Sequence, residues 1–114
     1  MKYSEKTRKG TAKLYMVGAK RNNKWRFKIG VTEQYDVQRL LNRYPEMNQE
    51  YNCNVWASAV MDRDTAYEYA NKLYVKYPVD QNLASSPLGG CQLRNIPVKT
   101  AIKIGKRIRS INNG

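Results

Sequence analysis

The spacing of apolar residues changes period several times along the chain, and each change marks an element. Leu14, Tyr15, Met16 and Val17 form a short apolar run of strand formers, which predicts a strand over 12–18. Trp25, Phe27 and Ile29 alternate with Arg26, Lys28 and Gly30, a period of two that predicts a half-buried strand over 25–31. Between them KRNNK at 20–24 is a polar turn, and Asn22 and Asn23 tolerate positive φ, so the two strands form a hairpin. Val37, Leu40, Leu41 and Tyr44 then share one face of a helix over 34–44, which Pro45 ends.

After a polar connection at 46–53, NVWASAVM predicts a third strand over 54–61. Val55, Ala57, Ala59 and Met61 fall on one face, and Trp56, Ser58 and Val60 on the other; both faces are mostly apolar, as in a strand covered on two sides. The next helix is predicted over 62–77. Asp62 or Asp64 suits its N-cap, Ala66, Tyr69 or Ala70, Leu73, Tyr74 and Tyr77 make its stripe, and Pro78 stops it. Tyr67, Tyr69, Tyr74 and Tyr77 suit packing with hydroxyls at the surface, or stacking on bases. A long loop over 79–96 holds Pro87, Gly89 and Gly90, a length typical of functional or mobile loops. Pro97 opens a last helix over 97–111. Val98, Ala101, Ile102 and Ile108, with Ile104 and Ile111 at its margins, form the apolar side, and Gly105 weakens the helix by roughly 1 kcal/mol relative to Ala.

The order β-β-α-β-α-loop-α predicts an α+β fold: a three-stranded antiparallel sheet flanked by helices, plus a basic C-terminal helix. The expected organisation is a basic N-terminal arm over 1–11, a domain over 12–82, and a loop and basic helix over 83–114 packed on it. At 114 residues and 41% hydrophobic, the chain can bury one core.

Charge sharpens the picture. There are 21 Lys+Arg against 9 Asp+Glu, a formal net charge of +12. Residues 1–30 carry ten cations and one acid (Glu5), and residues 84–114 carry six cations and no acid. The two ends are the basic parts, which suggests that both meet one anionic ligand. Nucleic acid is the commonest such partner; a membrane surface or an acidic protein are the others, and solubility alone is the plainer explanation. The arm at 1–11 reads either as a mobile phosphate-pairing segment or as a solubilising tail. Lys99, Lys103, Lys106, Arg107 and Arg109 on the last helix suit phosphates, with a helix lying on a membrane as the rival reading.

The chain has no His, which removes His-based triads, His-ligated nuclease metals and a His general base. Cys53 and Cys91 make neither a disulfide framework nor a zinc site. With no signal peptide or transmembrane run, a cytoplasmic, intracellular protein with no membrane partner is expected.

Leu14-Tyr15-Met16, a hairpin, Lys28-Ile29-Gly30 and a helix carrying Arg39-Leu40 together resemble the GIY-YIG nuclease domain. The KIGVT at 28–32 is closest to the phage-type branch of that superfamily, whose second motif reads KIG, a small residue and Thr. The resemblance covers roughly residues 12–82. It implies that Tyr15 holds or activates the attacking water. Lys28 stands where the second motif has a Tyr base, Gly30 is a position closed to side chains, and Arg39 stabilises the scissile phosphate. Arg43 stands where several members have His, and Asn82 resembles the Asn after the metal helix. Family members hold Mg²⁺ through a Glu on the helix. Aligning Leu73-Tyr74 with the family pattern puts Ala70 there, and Glu68, the nearby candidate, lies about 200° around the helix.

These implications give the expected function: a nucleic-acid-binding protein, DNA favoured over RNA, whose nuclease activity is lost or weak. The expected phosphate contacts are Lys20, Arg21, Lys24, Arg26, Lys28, Arg39, Arg43, Lys99, Lys103, Lys106, Arg107 and Arg109, with duplex lying across the face that carries Tyr15, Lys28 and Arg39. The alternatives are an active Mg²⁺-dependent endonuclease, and a protein-binding inhibitor of phage or mobile-element origin working in an infected bacterial host.

Overall fold

The computed structural model describes residues 6–38, 52–79 and 93–113. Strands β1 (Thr11–Arg21), β2 (Lys24–Thr32) and β3 (Asn52–Asp62) form one antiparallel sheet in the order β2-β1-β3. Two helices follow, α1 (Arg63–Lys76) and α2 (Val98–Asn113). The α+β class and the antiparallel sheet are as the sequence pattern predicts, and each strand runs one to three residues further than its apolar core. The helix expected over 34–44 starts later: Gln34 is bridged to Lys6, residues 35 and 36 are not helical, residues 37 and 38 are helical, and 39–44 lie outside the described residues.

The β1–β2 turn is two residues long, between the paired Arg21 and Lys24, and Asn22 and Asn23 take φ of 51° and 63°. That conformation matches the twist of the flanking strands. Asp62 caps α1 as expected: its Oδ2 accepts hydrogen bonds from the N–H groups of Asp64 at 3.1 Å and Thr65 at 3.3 Å.

One face of the sheet carries Ala12, Leu14, Met16, Phe27, Ile29, Ala57 and Ala59. Ala66 and Ala70 of α1 and Ala101, Ile104 and Ile108 of α2 complete this core. The small alanines let both helices lie close to the strands. On α2 the buried stripe includes Ile104 fully, whereas Val98 and Ile102, expected inside, are 39% and 42% exposed.

Strict alternation along β3 fails at one point. The β1–β3 register steps from Met16↔Ala57 to Val17↔Val55, so Trp56 is an extra residue in a bulge. The bulge moves Trp56 off the face of Ser58 and Val60, where alternation puts it, and onto the core face. There it meets Trp25 and Phe27 edge-on, with ring centroids 5.2 and 4.9 Å apart. Its indole lies over Gly18, where any side chain would collide with it.

Two more expectations change. Residues 6–10, expected to be part of a mobile arm, are held in place: Thr7 N–H bonds Glu33 O at 2.8 Å, and Gly10 O accepts from Arg63 N–H at 3.0 Å. The last residues of the expected loop are buried, with Leu93 at 1%, Arg94 at 6% and Ile96 at 4% exposure. Arg94 pairs with Phe27 through both backbone groups, at 3.0 and 2.7 Å, on the outer edge of β2.

Candidate nucleic-acid interface

The residues singled out from the sequence fall into three places. Tyr15 and Lys28 lie on the sheet face opposite the helices, since Tyr15 pairs with Gly30 and Lys28 with Val17. Tyr15, Val17 and Ala19 are all buried there, together with Val37, and Lys28 is half-buried. The Tyr15 ring covers Gly30 so closely that a Cβ would overlap it, which matches the closed position expected of that glycine. Arg39, Arg43 and Asn82 lie outside the described residues.

Beside Tyr15 on the same face sits Lys13. Its Nζ donates to Tyr35 O at 2.7 Å and lies 4.2 Å from the centre of the Tyr35 ring. Burial lowers its pKa, and the carboxylate of Asp36 opposes that shift. Sequence reasoning passed over Lys13 because nothing in its neighbours signals that residues 35–37 fold back across the strand.

The hairpin tip forms the second place. Lys20, Arg21 and Lys24 are exposed there, Lys20 lies 5.6 Å from the Trp25 ring, and Arg26 donates through Nη1 to Trp25 O at 2.8 Å. The third is α2, whose Lys99, Lys103, Lys106, Arg107 and Arg109 all reach solvent. Arg109 Nη1 donates to Trp56 O at 2.6 Å, and the Trp56 ring packs on Trp25, so the far half of α2 sits at the hairpin-tip end of the sheet. Of the tip cations only Lys20, paired with Trp25, lies on the face that α2 covers; Arg21, Lys24 and Arg26 share the opposite face with Tyr15 and Lys28. The Tyr15–Lys28 pair does not join α2, because α2 packs on the other face, through Ala57 and its neighbours.

This placement bears directly on metal binding. Ala70, at the position implied for the metal-holding Glu, is buried in the core across the sheet from Tyr15. Glu68 is exposed, and its Oε1 lies 3.7 Å from Lys72 Nζ. Among the described residues no three His, Cys, Asp or Glu side chains gather to hold a metal. Mg²⁺ takes carboxylate and water oxygens in near-octahedral geometry; Ala70 supplies none, and Glu68 points to solvent beside Lys72.

A groove between α1 and α2 was not foreseen. Lys72 and Lys76 line it from α1, and Lys103 and Arg107 from α2. Each pair has i, i+4 spacing, which was readable; that the two pairs face each other depends on how the helices dock.

Arg94 is the other functional-looking residue that sequence reasoning missed, and its role is structural. Its Nη1 donates to Tyr77 O at 2.6 Å and Tyr74 O at 3.1 Å, carbonyls at the negative end of α1. The guanidinium stacks 4.3 Å from the Tyr74 ring. Burial lowers the Arg94 pKa, with Tyr74 opposing; burial raises that of Tyr74, with the Arg94 charge opposing.

No family model matches the sequence, and neither a curated protein nor a solved structure matches it. Among the described residues no helix is long and apolar enough to cross a membrane.

Proposed function

We propose that this is a nucleic-acid-binding protein on a GIY-YIG-like scaffold, with DNA as the favoured ligand and nuclease activity lost or weak. One observation carries the reading. Helix α2 buries a stripe of Ala101, Ile104, Gly105 and Ile108, and turns five cations to solvent on a helix with no carboxylate. A helix stabilised for its own sake would balance that charge; one facing a polyanion would not. Lys20, on the helix-covered face at the hairpin-tip end of the sheet, extends the surface. Preference for DNA rests on the KIGVT resemblance alone, and weak or absent cleavage on the alanine at position 70.

The test is a gel shift run beside supercoiled-plasmid cleavage in Mg²⁺ and Mn²⁺. A shift without nicking is expected, with affinity falling steeply with salt. Metal-dependent nicking that disappears in Lys28→Ala and Arg39→Ala would make the protein an enzyme. No shift at low salt would sink nucleic-acid binding, and capture of an acidic protein after nuclease treatment would replace it.

A further inference from the structure

We infer that the groove between α1 and α2 holds an unpaired nucleotide, so that the preferred ligand is DNA with a single-stranded stretch such as an overhang or frayed end. This rests on the nucleic-acid reading above. The groove has a volume of about 300 Å³, at the small end of ligand pockets and suited to a single ring system rather than a duplex face.

Its lining has two chemistries. Lys72, Lys76, Lys103 and Arg107 stand along it; among the described residues no carboxylate lines it, and Glu68, just outside, meets only Lys72, at 3.7 Å. Tyr69 and Tyr77 line it too, with apolar Leu73 and Ile104. Lys76 Nζ sits 5.6 Å from the centre of the Tyr77 ring, so a cation and an aromatic surface are already side by side. A simple anion site needs the charges but not the rings, and a hydrophobic peptide needs the apolar lining but not four cations. A nucleotide uses both: its base stacks on an aromatic ring while the flanking phosphates meet the cations. Bases inside a duplex stay within the stack and cannot enter, which is why the unpaired strand is the ligand that fits.

The experiment compares two charge changes of equal size on the same helix. Lys103→Glu with Arg107→Glu alters the groove; Lys99→Glu with Lys106→Glu alters the outer face of α2, and all four residues are exposed, so folding is preserved. Binding of a fluorescein-labelled short oligo-dT and of a blunt duplex is measured by anisotropy for the wild type and both variants. The groove pair is expected to weaken oligo-dT about tenfold more than the outer pair does. Tyr77→Leu is expected to weaken oligo-dT by roughly fivefold or more, while Tyr77→Phe, which keeps the ring, binds like the wild type. Equal losses from the two pairs, or oligo-dT binding indifferent to Tyr77→Leu, would overturn the proposal. A wild type that binds duplex but not oligo-dT overturns this inference alone; one that binds neither overturns the nucleic-acid reading as well.

Discussion

The Tyr15 ring lies flat against the backbone of Gly30, directly across the β1–β2 ladder, and leaves no volume for a Cβ. The two residues are one packing unit. Tyr15 is 3% exposed because Gly30 lets it fold down onto the sheet. Gly30→Ala should therefore cost about 1–3 kcal/mol of stability through overpacking. In a Tyr15→Ala background the same change should cost much less, because its obstruction is gone. Urea denaturation of the four proteins in a double-mutant cycle measures the difference; equal costs in both backgrounds would show the two sites to be independent.

Gly105 gives the opposite prediction. It is a helical glycine buried against Ala57, yet the nearest atoms to a Cβ there would be Arg109 Nη1 at 3.6 Å and the Ala57 Cβ and Arg109 Nη2 at 3.9 Å, ordinary contact distances. Gly105→Ala should raise stability by about 0.5–1 kcal/mol, by restricting the unfolded chain and restoring helix propensity. A thermal melt that moves down would mean that α2 needs closer approach to β3 than these distances describe.

Arg94→Ala should cost about 2–3 kcal/mol, since it strips two partly buried carbonyls at the end of α1 of their donor and removes the stack on Tyr74. Arg94→Lys should recover less than half of the loss, because an ammonium cannot both stack and span two carbonyls. Chemical denaturation of the two variants decides; full recovery with Lys would reduce the role of Arg94 to charge alone.

Tyr74 sets an alkaline limit. Its hydroxyl donates to Ile29 O at 2.8 Å, and burial raises its pKa above the ordinary 10.0, the Arg94 charge offsetting part of the shift. A raised folded-state pKa means that the folded chain holds the proton more tightly. That stability is complete below the unfolded-state value near 10 and is lost as pH climbs through the raised one. The advantage of the wild type over Tyr74→Phe should thus be constant at neutral pH and shrink above about pH 10. Urea midpoints of both proteins across that range test it; a constant gap throughout would show that Tyr74 does not titrate with the fold.

Binding should report the α2 cations through salt. Each phosphate contact removed should flatten the slope of log affinity against log salt by about 0.9 on duplex. Charge-removing changes at Lys99 or Lys106 should do so without altering the melting temperature, since both side chains are exposed. An unchanged slope would place the DNA elsewhere on the surface.

What the sequence made legible follows from how local each signal is. Hairpin, cap and helix stripes depend on neighbours within a turn or two, and Asn22-Asn23, Asp62 and the Ala66/Ala70 stripe stand where the pattern put them. Trp56 went to the wrong face because a bulge is decided by the partner strand, and here by the bare backbone of Gly18 awaiting an indole. Arg94 looked like one more loop cation because its partners lie 17 and 20 residues earlier. The expected union of Tyr15, Lys28 and the terminal helix failed for a related reason. Alternation tells which strand residues share a face, but it does not tell which face a helix beyond a long connection will cover.

The outer edge of β2 has a consequence for solubility in crowded solution. Trp25, Phe27 and Ile29 turn their backbone polar groups away from β1. The Trp25 carbonyl is taken by Arg26, both groups of Phe27 by the Arg94 backbone, and the Ile29 carbonyl by the Tyr74 hydroxyl. Three successive positions that could template strand addition by a second chain are thereby occupied from within. Loosening the Arg94–Tyr74 clasp would do more than lower stability: it would uncover an apolar, aromatic-rich border, and self-association would follow at concentrations the intact domain tolerates.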